Sequence, residues 1–125
     1  MLVDSTVVID LLRKYEKAKE YTELLVEPAG ISRVVVMEII AGCKSRVELT
    51  RSMKLIREIK LNVIEIDRQI SVTAGYLFEK YFHSHGLGIM DALIAATAIV
   101  RKERLVTHNL KHFRFIKELD LQKPY

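Results

Sequence analysis

Short apolar runs alternate with longer amphipathic segments along this 125-residue chain. The apolar runs have the length and composition of buried strands, and the segments between them repeat apolar residues at helical spacing. Strands separated by helices require crossover connections, which produce a parallel sheet with helices on both faces. The sequence therefore predicts an α/β fold, with functional side chains just beyond the carboxyl ends of its strands.

The predicted strands are "MLV" (1–3), "GIS" (30–32), "LNVIEI" (61–66), "RLVTHN" (104–109) and "ELDLQ" (118–122). The first predicted helix is capped by Ser5 or Thr6. Further helices are predicted at 16–27, 45–60, 67–82, 90–103 and 110–114. Residues 83–88 ("HSHGLG") are predicted to form a loop. The segment "RVVVMEII" is ambiguous because its β-branched residues favour a strand, whereas its apolar residues share a helical face. Gly42, a typical helix stop, favours the helix.

Composition restricts the class of protein and its compartment. Hydrophobic residues make up 50% and charged residues 29% of the chain, which is typical of one globular domain over residues 1–125. The net charge of +4 permits contact with RNA or DNA without requiring it. A single cysteine, Cys43, excludes an internal disulfide and a cysteine-based zinc site. No apolar run is long enough to cross a bilayer and no signal-peptide pattern begins the chain, so we expect a cytoplasmic protein.

Acidic and amide side chains stand where the predicted strands and helices meet. Asp4 follows the first strand, Glu38 lies within the helix after the second, Asp91 begins the most apolar helix, and Asn109 ends the fourth strand. Helix capping explains Asp4 or Asp91 taken alone, but Glu38 lies between apolar neighbours, where a lone carboxylate is costly. If the four side chains converge, their oxygens suit a hard divalent cation such as Mg²⁺.

Four motifs in order resemble those of the PIN domain family. "LVDSTVVIDLL" is similar to its first motif, "ISRVVVMEIIAG" to the second, "GIMDALIAATA" to the third and "LVTHNLKHF" to the last. The resemblance extends from residue 2 to residue 113. The length of the chain and the residues of its motifs are most similar to those of the VapC-type toxins, the ribonuclease halves of toxin–antitoxin pairs.

The resemblance implies a three-layer α/β/α sandwich and an endoribonuclease dependent on Mg²⁺ or Mn²⁺. It assigns catalysis and metal binding to Asp4, Glu38 and Asp91, and it makes Thr6 an orienting hydroxyl. The fourth acidic position of the family falls on Asn109, which brings no charge and can bind the metal directly or through water. A homodimer and a VapB-type antitoxin are the implied partners, with amphipathic helices near 16–27 and 45–60 as candidate surfaces.

Basic residues next to the four motifs are candidate RNA contacts, since Lys and Arg neutralise phosphates without reading sequence. They are Lys44, Arg46, Lys111 and His112. The remaining histidines are a pair in "HSH", which favours an exposed loop over a metal site, and His108, which adjoins Asn109.

Two other functions are consistent with the family. A catalytically silent PIN-like module would bind RNA or protein only, and the presence of all three acids argues against it. A housekeeping nuclease in RNA maturation would have the same site, and a neighbouring antitoxin gene would distinguish the two.

Overall fold

The protein forms one parallel five-stranded sheet in the order β3-β2-β1-β4-β5 in a computed structural model that describes residues 1–125. The strands are short: β1 (Leu2–Val3), β2 (Gly30–Ser32), β3 (Asn62–Ile64), β4 (Leu105–Val106) and β5 (Leu121–Gln122). Each lies within its predicted segment, and all pairings are parallel as expected.

Seven helices connect and cover the strands. They are α1 (Ser5–Leu12), α2 (Glu16–Glu23), α3 (Arg33–Gly42), α4 (Arg46–Glu58), α5 (Arg68–His85), α6 (Ile89–Arg101) and α7 (Leu110–Phe113). Successive residues of a strand point to opposite faces of the sheet, yet Leu2 and Val3 are both buried. Both faces are therefore covered, which confirms the three-layer α/β/α architecture.

The ambiguous segment after β2 is helical because its start is capped. The Ser32 hydroxyl accepts a hydrogen bond from the Val34 N–H at 3.1 Å, and α3 continues to Gly42 as predicted. Three consecutive valines, Val34 to Val36, are buried in this helix, so packing outweighs their strand preference.

Three boundary predictions are wrong. Asp4, and not Ser5 or Thr6, is the N-cap residue of α1, and its side chain makes no capping bond. The segment 83–85 is the end of α5 and not a loop, since the helix stops only at Gly86, whose φ of 68° favours glycine. Helix α2 ends at Glu23, so the expected stretch to residue 27 is not helical.

Helix α6 fixes the position of Asp91 because six of its 13 residues are buried. Its alanines pack closely against α5, and Thr97 satisfies its hydroxyl by donating to the Leu93 carbonyl at 2.7 Å. Asp91 lies in the first turn, where the helix dipole favours a carboxylate. None of the seven helices combines the length and apolarity that crossing a membrane requires.

The core side of α6 should dominate the stability of the fold. Ile94 is 0% exposed, so Ile94→Ala should lower the free energy of unfolding by about 3 kcal/mol through lost burial and a residual cavity. Urea unfolding followed by circular dichroism measures the change. Ile89→Ala in the same helix is the matched control, because Ile89 is 61% exposed and its truncation should change stability by less than about 0.5 kcal/mol. Equal effects of the two substitutions would contradict the packing of α6.

Candidate active site

The parallel pairing of β1 with β4 places two polar side chains together at the carboxyl edge of the sheet. Val3 pairs with Val106, so the next residues, Asp4 and Thr107, leave the sheet side by side. The Thr107 hydroxyl donates to Asp4 Oδ2 at 2.7 Å, and the Asp4 N–H donates to the Val106 carbonyl at 2.9 Å. Asp4 is only 3% exposed, so this hydroxyl is its principal polar partner.

Glu38 extends from α3 toward the same edge and carries an unpartnered buried oxygen. Its Oε2 atom is buried and forms no hydrogen bond. Burial raises the pKa of Glu38, the Ser5 hydroxyl opposes the shift, and repulsion from Asp4 and Asp91 adds to it. Within the protein, only the Ser5 hydroxyl favours the charged form of Glu38 against burial and the repulsion of the other two acids.

Asp91 approaches from the start of α6. Burial raises its pKa most strongly, His112 opposes that shift through its charge and hydrogen bond, and Asp4 adds to it. His112 Nδ1 lies 3.1 Å from Asp91 Oδ2, which joins α7 to α6 at the site.

The structure brings the three predicted acids together without a preformed ligand set. Asp4 influences the pKa of both Glu38 and Asp91, yet no group of three or more His, Cys, Asp or Glu side chains is arranged to hold a metal ion. The donor chemistry fits a hard divalent cation, since all three groups supply carboxylate oxygens and Glu38 has one without a partner. A cation would also offset the repulsion that adds to the effect of burial on the two pKa values.

Thr107 is the residue that the sequence reasoning missed. Besides donating to Asp4, its oxygen accepts the Asn109 N–H at 3.0 Å and lies 3.5 Å from the Thr6 hydroxyl. An ionised carboxylate can only accept, so the Thr107 proton goes to Asp4 and Thr6 donates to Thr107. The available signal was a threonine directly after a buried strand, in the motif "LVTHN".

Thr6 and Asn109 lie at the site but differ in what they contact. Thr6 Oγ1 accepts the His108 N–H at 3.2 Å and makes no hydrogen bond with the three acids, so it supports the turn after β4. Asn109 precedes α7 and is exposed, and its side-chain amide forms no hydrogen bond within the protein. Its part in metal binding stays a prediction.

The candidate RNA contacts divide into two places. Lys111 and His112 lie on α7, where His112 contacts Asp91, whereas Lys44 lies between α3 and α4 and Arg46 is the first residue of α4. Lys44, Arg46 and Lys111 are exposed and form no ion pair within the protein, so all three charges are available to a polyanion.

The other histidines pack against aromatic rings. His85 stacks on Phe115 with ring centroids 4.5 Å apart, and His83 lies edge-on to Phe82. The His108 ring packs against Tyr125. His83 and His85, the pair in "HSH", lie in the last turn of α5.

An open groove of about 760 Å³ begins at Glu38 and runs between α1 and α4. Its lining mixes apolar and charged side chains, among them Ile9, Arg13, Ile39, Val47, Arg51 and Leu55. Glu38 is therefore the one of the three acids that borders this groove.

Comparison with known proteins gives the same family across nearly the whole chain. The PIN domain family model matches residues 1–118. Ribonuclease VapC19 of Mycobacterium tuberculosis is 34% identical over 128 residues, covering 99% of this chain and 98% of that protein.

Solved structures agree in fold. A toxin–antitoxin complex from Klebsiella pneumoniae matches with a TM-score of 0.80 at 28% identity, covering 99% of this chain and 97% of that one. A DNA-bound VapBC structure from Salmonella typhimurium matches with a TM-score of 0.85 at 23% identity, covering 99% and 97% of the two chains. With a family match over residues 1–118 and the four motifs at one edge of one sheet, this chain belongs to the PIN domain family.

Proposed function

We propose that this protein is a divalent-metal-dependent endoribonuclease and the toxin of a VapBC-type toxin–antitoxin pair. The observation that carries the proposal is the convergence of Asp4, Glu38 and Asp91, with a buried Glu38 oxygen that has no partner in the protein. The relatives named ribonuclease and the toxin–antitoxin complexes among similar structures support the substrate and the biological role.

Asp4, Glu38 and Asp91 would hold the cation, with Asn109 as a neutral fourth donor. When bound, Mg²⁺ or Mn²⁺ supplies the charge that activates water, orients the phosphodiester and stabilises the departing oxygen. The protein's own task is to keep the carboxylates ionised and aimed. Thr107 does this for Asp4 and the histidine on α7 does it for Asp91.

The exposed cations would hold the RNA backbone across the site. Lys111 stands beside Asp91 and its neighbour His112, while Lys44 and Arg46 stand beyond Glu38. Phosphate contacts of this kind are electrostatic and do not depend on the RNA sequence. Because salt weakens such contacts, we expect cleavage of single-stranded RNA to fall steeply as the salt concentration rises.

The partners we propose are a VapB-type antitoxin and a second copy of the chain, in the cytoplasm. The groove that begins at Glu38 is the surface on which we propose that the antitoxin binds. Exposed apolar side chains occur next to α2 and on α4, notably Leu24, Val26 and Val47, in the two regions expected to supply contacts. Co-purification with the product of a neighbouring reading frame, followed by release of that product, tests this role.

Removal of one acid should abolish cleavage without unfolding the protein. Asp91→Asn keeps the size of the side chain but removes a charge from the metal site, so we expect Mg²⁺- or Mn²⁺-dependent RNA cleavage to fall by at least about 10²-fold. Gel analysis of fragments from a single-stranded RNA measures the loss. Asp120→Asn is the matched control, because Asp120 is an exposed acid that pairs with Arg104. Wild-type protein, freed of antitoxin, that cuts no RNA with either metal would overturn the proposed function.

Metal binding should reverse the effect of Glu38 on stability. The pKa of Glu38 is raised in the folded state, so the folded protein binds the proton more tightly than the unfolded chain, and stability declines as the pH rises through that raised pKa. Glu38→Gln should therefore raise the melting temperature of the metal-free protein at pH 7 by about 3 °C.

Saturating Mn²⁺ should then favour the wild type. A cation at 100 times its dissociation constant stabilises the folded state by about 2.7 kcal/mol, and Glu38→Gln should gain much less. Differential scanning calorimetry with and without Mn²⁺ measures both effects. Glu58→Gln, an exposed acid on α4, is the control and should leave the Mn²⁺ shift unchanged. An equal Mn²⁺ shift in the wild type and Glu38→Gln would remove Glu38 from the metal site.

The Thr107 hydroxyl should be required for turnover. Thr107→Val keeps the shape of the side chain but leaves buried Asp4 without its 2.7 Å donor, so we expect kcat to fall about tenfold and stability to fall by about 1–2 kcal/mol. Thr107→Ser restores the hydroxyl and should recover most of the rate. Steady-state kinetics on a fluorogenic RNA measure this comparison, and equal rates for the valine and serine variants would show that the hydroxyl has no role.

A further inference from the structure

A second polar cluster lies beside the candidate active site and has no part in the proposed metal binding. The Tyr125 hydroxyl donates to Asp10 Oδ2 at 2.7 Å, and His108 Nε2 lies 3.7 Å from the same oxygen. The His108 ring stands edge-on to the Tyr125 ring, with centroids 4.5 Å apart. The three side chains come from α1, from the turn after β4 and from the segment after β5.

This cluster meets the active-site turn, residues 107–109, through the His108 side chain. His108 lies between Thr107, which donates to Asp4, and Asn109. Its backbone N–H donates to Thr6, which lies one turn before Asp10 on α1. The turn is thus held by the hydrogen bonds of Thr107 and of the His108 N–H, and by the packing of the His108 ring.

Thr107 anchors the first residue of this turn, since it is buried, its N–H donates to the Gln122 carbonyl at 3.1 Å and its hydroxyl donates to Asp4. Strand β4 ends at Val106, and Asn109 is exposed, so burial does not determine where its side-chain amide points. The helix that follows, α7, is only four residues long. Beyond Thr107, the turn contacts the body of the protein through the His108 N–H bond to Thr6 and through the packing of the His108 ring.

Tyr125 is well suited to hold the cluster closed. Its ring packs against Tyr15 and Tyr21, with centroids 6.0 and 5.7 Å away. Burial raises the pKa of Tyr125, and the neighbouring Asp10 carboxylate raises it further. The phenol therefore keeps its proton and remains a donor to Asp10.

We propose that Tyr125 is a positioning residue for the candidate active site, which acts by holding Asp10 and His108 so that the 107–109 turn presents Thr107 and Asn109 in a fixed orientation. The inference rests on the proposed nuclease function, because its consequence is turnover at that site. It requires no contact of Tyr125 with RNA or metal.

The test compares two tyrosines of the same aromatic cluster. Tyr125→Phe removes the hydroxyl bound to Asp10, whereas Tyr15→Phe removes a hydroxyl that forms no hydrogen bond on a ring 45% exposed. Amide hydrogen exchange is measured by NMR on the metal-free protein, and kcat and KM are measured on a single-stranded RNA with Mn²⁺.

In Tyr125→Phe we expect the His108 and Asn109 amides to exchange about fivefold faster, which corresponds to the loss of one ordinary hydrogen bond. Core amides of α6 should be unchanged. We expect kcat to fall about fivefold with KM within twofold, because the turn aims catalytic groups and Tyr125 does not touch RNA. Tyr15→Phe should match the wild type in all of these measurements.

A second variant tests the path through Asp10. Asp10→Ala should reproduce the effects of Tyr125→Phe, and the double variant should be no worse than Asp10→Ala alone, since both substitutions remove the same link. Additive losses would overturn the proposed path.

The outcomes separate this inference from the proposed function. Unchanged exchange at residues 108 and 109 in Tyr125→Phe, or faster exchange with unchanged kcat, would overturn the positioning role while the nuclease stands. Absence of cleavage by the wild type would instead overturn the nuclease proposal, and it would be seen before any variant is compared.

Discussion

The hydrogen bond from Thr107 to Asp4 is the contact on which the site depends. It joins the ends of β1 and β4, the two central neighbours in the sheet, at the edge where the acids gather. Asp4 is nearly fully buried, and a buried carboxylate without a donor is costly. The protein supplies the donor from a residue 103 positions away, so this bond forms only when β1 and β4 have paired.

Much of the fold follows from local pattern. Alternation of short apolar runs with amphipathic segments predicts the parallel sheet, and Gly42 and Asp67 mark real helix boundaries. The predicted cap of α1 was wrong because Asp4 occupies the N-cap position while its carboxylate bonds to Thr107 instead of the helix. Local rules name the residues able to cap a helix, but they do not show a distant partner that competes for them.

Part of the candidate site was also predictable from the sequence, and part of it was not. Asp4 was predicted from its place directly after a strand, at the edge where parallel strands end. Glu38 lies within α3 and Asp91 begins α6, so these two were predicted from their apolar surroundings and from motifs that resemble the PIN domain family. The role of Thr107, the Asp91–His112 contact and the orientation of His108 toward Tyr125 depend on side-chain geometry between elements. No spacing within a single motif contains that geometry.

The negative charges of the three acids are not offset equally by neighbouring groups. Asp4 has the Thr107 hydroxyl and Asp91 has His112, whereas Glu38 has only Ser5 to oppose burial and the repulsion of its two neighbours. Glu38 is also the acid at the end of the open groove. Since positive charge stabilises an ionised carboxylate most where compensation is least, a cation has most to gain near Glu38. The acid with the least satisfied oxygen is therefore also one that borders the groove.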